Sequence, residues 1–305
     1  MFKIAKINTL TGIAKHLDFQ EFIFPAGEVS VKLNARDYAY KTLTLPNTII
    51  ARIQNSDDLF KLALFKDAVA RFDDNPINLF LAYVPYSRQD RVCCEGESFS
   101  IMMLSRFLNS LGFSKVTIVD PHSGVTPACL ESQNNIGKIE VISQLDVLNK
   151  FTQFIPTLMS SDLVSPDSGA NKKTSDVAAW LNKETFIRAD KLRDLSNGKI
   201  KEIAVYCEDL KGQDVVICDD ISEMGGTFIG LAKVLKTKNV GKVILYVTHG
   251  IFGGVSEREK VITNLFANGI DEIWTTDSYH ADLNEWIEIK FPNLHVLNIE
   301  NLISF

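Results

Sequence analysis

What the chain lacks narrows it first. It has no apolar run of the roughly 20 residues a membrane-spanning helix needs, so a membrane-embedded protein is not expected. Its first residues, with Lys3 and Lys6 scattered among apolar neighbours, do not have the layout of a signal peptide, and a cytoplasmic location is expected. Basic charge is not in excess: 32 Lys and Arg against 38 Asp and Glu give a formal charge of −6 and a pI near 5.5. That argues against a broad nucleic-acid-binding surface while leaving room for a local basic pocket. The cysteines, Cys93, Cys94, Cys129, Cys207 and Cys218, are odd in number and form no C-x-x-C pair, so neither a zinc site nor a disulfide framework is indicated. Cys218 reads as a small core residue, and the adjacent Cys93 and Cys94 read as incidental in a polar loop. Low-complexity tracts and long linkers are missing too.

What is there is enough for two ordinary domains: 305 residues, 46% of them hydrophobic. From near Thr48 almost to the end, short β-rich runs alternate with helical patterns, the sign of a parallel sheet covered by helices. Strands are expected at Thr48–Ile53, Ile77–Val84, Lys115–Asp120, Asp162–Ser165, Phe186–Ala189, Val215–Cys218, Lys242–Val247 and Glu272–Thr275. Apolar spacing predicts helices over Asp57–Phe72, Ser98–Leu111, Lys173–Leu181, Gly226–Lys236 and Val255–Phe266. Lys115–His122 and Lys242–His249 are each a strand ending near a histidine, an echo that favours two similar α/β domains. The expected boundary lies near Lys138–Ser143, giving domains 1–140 and 141–285, with 286–305, including a strand near His295–Ile299, returning to the first.

The stretch Val215 to Thr227 organises the rest. Four apolar residues lead to Asp219 and Asp220, then Ile221, Ser222, Glu223, Met224, Gly225, Gly226 and Thr227, and then a helical run. Ligands of open α/β sheets bind outside the carboxyl ends of the strands, where these acids fall. Glycines let backbone amides approach a ligand closely, and a helix N-terminus favours an anion. Carboxylates beside an anion hole suit a sugar phosphate; the alternative is that the acids and glycines merely punctuate a turn. The stretch resembles the signature of the type I phosphoribosyltransferase fold, two acids and a small-residue loop ending in Gly-Thr, which binds ribose 5-phosphate or phosphoribosyl pyrophosphate.

A second loop, Val84-Pro85-Tyr86-Ser87-Arg88-Gln89-Asp90-Arg91, follows an apolar strand. Arg supplies a donor fork for phosphate or a plane for stacking, and Gln and Asp offer the mixed donors and acceptors a nucleobase edge needs. On the residues alone the loop reads first as a solvated one. The run from Pro85 to Arg91 is similar to a hallmark of ribose-phosphate diphosphokinases, the phosphoribosyl pyrophosphate synthetases, and ordinary phosphoribosyltransferases lack it. Other pieces follow in that family's order over about 230 residues. Phe24 to Glu28 resembles the motif whose aromatic and acid help hold ATP. Val119 to His122 resembles the strand end with a magnesium-associated histidine, and Val164 to Gly169 the loop whose aspartate, Asp167, serves the ribose and its metal. Asp190 to Arg193 resembles the start of the mobile catalytic loop, and Thr248 to Phe252 a pattern near the end in which His249 reads as structural.

The resemblance implies an α/β fold of two similar domains, each a mainly parallel sheet flanked by helices. It implies an ATP-binding N-terminal domain and a ribose-phosphate-binding C-terminal one. The implied reaction moves the β,γ-diphosphate of ATP onto the anomeric hydroxyl of ribose 5-phosphate, with ATP as co-substrate and Mg²⁺ as cofactor. By the same resemblance Lys191 and Arg193 are catalytic. Phe24, Glu28, Arg88, Gln89, Asp90 and His122 bind ATP, while Asp167, Asp219, Asp220, Glu223, Met224, Gly225, Gly226 and Thr227 bind the ribose phosphate. His122 and Asp167 serve the metal, and a homodimer or higher homo-oligomer is implied. The chain departs from the family at three places. Glu223-Met224-Gly225 stand where the phosphate loop usually has Asp-Thr-Ala, so a 5-substituted ribose such as ADP-ribose is an alternative acceptor. Ala26 replaces an adenine-touching Asp or Asn, and Val92, Cys93, Cys94 and Gly96 replace basic residues. A phosphoribosyltransferase and an inactive regulatory homologue remain the competing readings.

Overall fold

Two units build the chain in the computed structural model: Met1–Ser143 with Ile299–Phe305, and Gln144–Asn298. The structure describes residues 1–8, 12–34, 36, 38–193, 200–283 and 290–303.

In the first unit the chain runs β1 (Phe2–Asn8), β2 (Gly12–Leu17), β3 (Phe19–Ile23), β4 (Val29–Leu33), α1 (Tyr38–Lys41), β5 (Asn47–Arg52), α2 (Ser56–Phe72), β6 (Ile77–Tyr83), α3 (Ser100–Ser110), β7 (Lys115–Val119), α4 (Val125–Glu131) and β8 (Ile139–Ile142). The six-stranded sheet has the order β2-β1-β5-β6-β7-β8, parallel from β5 to β8 and antiparallel across β1, and β3 and β4 form a separate hairpin. β5 is buried along its whole length, as a strand covered on both faces must be. α2 starts where Asn55 Oδ1 accepts the Asp58 amide at 3.0 Å, with Asp57 and Asp58 facing the positive end of the helix dipole. Its Leu62, Phe65 and Val69 enter the core, and Phe65 stacks on Phe2 at 4.7 Å. Burial of each such side chain stabilises the fold by about 1.5–3 kcal/mol. The C-terminal 3₁₀ turn Ile299–Leu302 joins this unit through Glu300, which pairs with Lys3 and lies 3.7 Å from Arg52.

The second unit runs α5 (Gln144–Lys150), α6 (Ile155–Ser160), β9 (Asp162–Ser165), α7 (Asn171–Trp180), β10 (Ile187–Arg193), β11 (Ile200–Val205), β12 (Val215–Ser222), α8 (Gly226–Lys236), β13 (Val243–Gly250), α9 (Arg258–Ala267), β14 (Glu272–Thr276) and β15 (Leu294–Leu297). The sheet order is β11-β10-β9-β12-β13-β14-β15, parallel except for the β10/β11 pair. Strand alternation divides the packing. Val215 and Ile217 of β12 and Val243, Leu245 and Val247 of β13 share a core with α8 and α9. Tyr246 turns the other way and meets Phe151 and Phe154, and Phe154 in turn stacks on Trp274 at 4.4 Å.

Parallel strands flanked by helices carry both units, and the helix over 226–236 lies where the apolar spacing predicts it. Several boundaries differ from the sequence reading. The strand near His295 does not return to the first unit: Leu294–Leu297 pairs in parallel with β14, leaving only residues 299–305 to return. β12 does not stop at Cys218, because its pairing with β13 continues through Ile221 and Ser222. β10 likewise runs to Arg193, held by β11. α9 begins at Arg258 rather than Val255, since Gly253 and Gly254 at φ 77° and 80° form a turn ahead of it.

Candidate active site

Carboxylates gather at the carboxyl ends of the second unit's strands. Asp167 follows β9, and its loop folds on itself: Ser165 Oγ donates to the Asp167 carbonyl at 2.9 Å, and Asp167 Oδ1 accepts the Ala170 amide at 3.1 Å. Lys191, on β10, places its ammonium on Asp167 Oδ2. Burial alone would raise the Asp167 carboxyl, but the Lys191 ammonium and the Ala170 and Gly169 amides prevail and hold it below the usual carboxylate range.

Asp219 and Asp220 lie within β12, whose last residues they precede, and the Asp219 carboxylate accepts the Asp220 amide at 2.9 Å. Asp220 is buried, with the Lys173 ammonium 3.7 Å from its Oδ2. Desolvation first, then the negative charges of Asp220 and Asp167, push the Asp219 carboxyl well above the usual range. The site therefore holds three interacting acids and two lysines within one unit. Cys218, just before them, is fully buried and its thiol is pushed up to about 12 by desolvation, which fits a core residue rather than a reactive one.

Beyond Ser222 the chain makes the turn into α8. Gly225 is the residue ahead of that helix, in the left-handed region at φ 72°, and a Cβ there would stand 2.8 Å from Leu265. Gly226 is exposed, with nothing within 4 Å of its Cβ position. Glu223 and Met224 are exposed and Thr227 is half-buried. The first turn of α8 leaves backbone amides without intrahelical acceptors, the feature that binds anions. The turn after β13 backs this loop, as the Ile251 and Phe252 amides both donate to the Ser222 carbonyl, at 2.9 and 3.0 Å. His249 is buried, with its Nδ1 2.8 Å from Ser278 Oγ, in keeping with a structural role.

In the first unit two neighbouring strands bring their end loops together. Arg88 and Gln89 are exposed after β6, while Asp90 folds inward and its Oδ2 accepts the Ser123 hydroxyl, from the loop after β7, at 2.7 Å. Burial acts to raise the Asp90 carboxyl, but the Ser123 bond, Arg91 and the charge of His122 lower it. His122 therefore belongs to the same loop cluster as Asp90. Tyr86 and Asp120 bend these loops at φ 61° and 35°, a conformation that non-glycine residues seldom adopt and that concentrates at functional sites. Phe24 and Glu28 lie elsewhere, at the tip of the β3–β4 hairpin, where the Phe24 amide donates to the Glu28 carbonyl at 2.8 Å and the Phe24 ring is 53% exposed. Arg193 closes β10 opposite Ile200; its side chain lies outside the described residues.

Sequence reading missed two residues of the second unit. Lys173, on the first turn of α7, sits on Asp220, and Gln144 Nε2 donates to the Asp219 carbonyl at 2.9 Å. Gln144 lies 75 residues away in sequence, and no local pattern marks either residue. Among the described residues no set of three or more His, Cys, Asp or Glu side chains forms a ready metal cage, and no helix is long and apolar enough to cross a membrane.

Residues 163–283 match the family of the phosphoribosyl transferase domain. The chain is similar to the ribose-phosphate pyrophosphokinase of Aquifex aeolicus, with 26% identity over 284 residues that cover 92% of this chain and 84% of that one. To the enzyme of the same name from Haemophilus ducreyi it is 27% identical, with the same coverage. The crystal structure of phosphoribosylpyrophosphate synthetase from Mycobacterium smegmatis superposes with a TM-score of 0.75 at 20% identity, over 94% of this chain and 88% of that one. At that identity the likeness is one of fold.

Proposed function

We propose that this chain, a member of the ribose-phosphate pyrophosphokinase family, transfers the β,γ-diphosphoryl group of ATP to the anomeric hydroxyl of ribose 5-phosphate, giving phosphoribosyl pyrophosphate and AMP. The observation that carries the reading is the set Asp167, Lys191, Asp219 and Asp220, gathered at the strand ends one turn ahead of a glycine-opened helix start. Acids for sugar hydroxyls, amides for a phosphate and a lysine for the transferred group are the parts that such a transfer needs.

Catalysis of this in-line displacement at the β-phosphorus rests on positioning and on neutralising charge, and needs no protein nucleophile. Asp219 and Asp220 hold the ribose hydroxyls, and the backbone at Gly225, Gly226 and Thr227 cradles the 5-phosphate beside Glu223 and Met224. Lys191 and Arg193 stabilise the charge of the transferred group. On the first unit, Arg88, Gln89, Asp90 and His122 bind ATP, and the exposed Phe24 ring with Glu28 offers the adenine a stacking face.

The donor set fits magnesium. Mg²⁺ binds through one or two carboxylates plus substrate phosphates and keeps several waters, so it requires no dedicated cage. Desolvation, and then the charges of Asp220 and Asp167, raise Asp219, and a hard divalent cation beside these acids would favour their ionised forms. Asp167 and His122, each within its own unit, are residues that would serve such an ion. When bound it neutralises phosphate oxygens and orients them for displacement. The enzyme acts in the cytoplasm, where ATP and sugar phosphates are available, as a homodimer or higher homo-oligomer and without nucleic-acid or membrane partners.

A transferase that consumes the activated sugar gives no role to the Arg88-Gln89-Asp90 loop, and an inactive homologue gives none to Lys191. AMP release from ATP separates all three. Release that depends on ribose 5-phosphate and Mg²⁺ is expected, and a protein that releases no AMP with any ribose acceptor is not this enzyme.

A further inference from the structure

The loop between β12 and α8 is poor in one respect. Glu223 can only accept hydrogen bonds, Met224 donates none, and Gly225 and Gly226 have no side chains, so Thr227 supplies the first side-chain hydroxyl. Backbone amides and one hydroxyl are few donors for a terminal phosphate monoester, which carries nearly two negative charges over three oxygens. A phosphate that continues into a further ester has one charge and two free oxygens, and asks for fewer.

The loop also leaves a way out. The space beside Gly226 is open to 4 Å, and the apolar Met224, two residues before it in the same loop, is 57% exposed. Met224 does not simply trail into solvent. Its thioether comes within 3.1 Å of where a side chain at Gly253 would begin, so the residue leans on the turn that Ile251 and Phe252 anchor to Ser222. A methionine sulfur makes favourable contacts with aromatic rings and adapts to their shape.

From these features we infer that the acceptor site also takes a ribose whose 5-phosphate continues through a diphosphate bridge into a nucleoside, with Met224 contacting the extension. This rests on the function proposed above and names its acceptor class. The bond-making is the same. The anomeric oxygen bonds to the β-phosphorus of ATP as that phosphorus parts from the bridging oxygen, AMP leaves with that oxygen, and the hydroxyl proton passes to solvent.

The test supplies ATP and Mg²⁺ with either ribose 5-phosphate or ADP-ribose and identifies the diphosphorylated acceptor by mass, since AMP alone could also come from breakdown of ADP-ribose. ADP-ribose is expected to be converted with a kcat/KM at least equal to that for ribose 5-phosphate. Met224→Ala should lower the kcat/KM for ADP-ribose fivefold or more relative to that for ribose 5-phosphate. Conversion of ribose 5-phosphate alone, with ADP-ribose neither converted nor competing, overturns the inference and leaves the proposed function standing. Conversion of neither overturns both, and an equal loss on both acceptors in Met224→Ala removes Met224 from the contact.

Discussion

Lys191 Nζ donates to Asp167 Oδ2 across 24 residues of sequence, so the proposed catalytic lysine rests on a proposed substrate-binding acid. Moving Lys191 onto a phosphate therefore requires something to replace it at Asp167, and a cation or a ribose hydroxyl can do so. Lys191→Ala is expected to cut turnover by about 10²–10³-fold, the scale of removing one preorganised transition-state contact. ATP binding should be largely kept, because the ATP loops belong to the first unit. Steady-state rates beside equilibrium ATP titration would check this, and an unchanged rate would take Lys191 out of the mechanism.

The acids make opposite contributions to stability as pH changes. Asp167 is lowered in the folded state, so it stabilises the fold above the ordinary Asp value near 3.9, and that contribution is lost as pH falls through its folded value. Asp219 is raised, so its cost is absent below about pH 3.9 and builds as pH rises towards its folded value. Asp219→Asn should therefore raise the melting temperature at pH 7, by roughly 2–4 °C for about 1 kcal/mol, with the gain shrinking towards pH 4. Acceptor KM should rise in the same variant. A lower melting temperature at pH 7 would refute the charge-crowding account of Asp219.

The contrast between what was legible and what was not has a physical source. Val215 to Lys236 could be read closely because local signals agree there: a buried apolar run, acids at its end, glycines at a turn, and apolar spacing at Leu231 and Leu235. β12 runs longer than its apolar run, since Ile221 and Ser222 stay in the strand by pairing with His249 and Gly250 of a neighbour the sequence does not reveal. β3 is mostly exposed and has no core pattern to betray it. β15 pairs with β14 rather than returning to the first unit, and a strand of four residues carries no local mark of the sheet it joins. Lys173 and Gln144 reach the acids by tertiary packing alone, so only coordinates could find them.

Ser123 tests the nucleotide loop without replacing a residue proposed to bind ATP. Its hydroxyl on Asp90 at 2.7 Å is the tie between the loops after β6 and β7. Ser123→Ala removes one charge-assisted hydrogen bond, a loss of about 1 kcal/mol or somewhat more. ATP KM should rise about fivefold with kcat nearly unchanged, because positioning of the loop suffers and the transferring groups do not. The Asp90 carboxyl should move back towards its ordinary value, which carbon-13 labelled NMR titration would register. An unaltered ATP KM would show that the Arg88 loop holds its shape without this tie.

Gly225 and Gly226 are adjacent, yet their alanine variants should fail in different ways. At Gly225 a side chain meets both a left-handed backbone, a cost of about 1–2 kcal/mol, and Leu265 at 2.8 Å. Gly225→Ala should therefore unfold earlier in urea by about 2 kcal/mol or more, with activity falling as a consequence. At Gly226 the backbone is helical and the space is open, so Gly226→Ala should match the parent in stability to within about 0.5 kcal/mol. Its methyl group would instead occupy the ground above the helix amides where the phosphate is proposed to sit, raising acceptor KM about tenfold or more while ATP binding is kept. If Gly226→Ala binds the acceptor as well as the parent, the phosphate is not held at the start of α8.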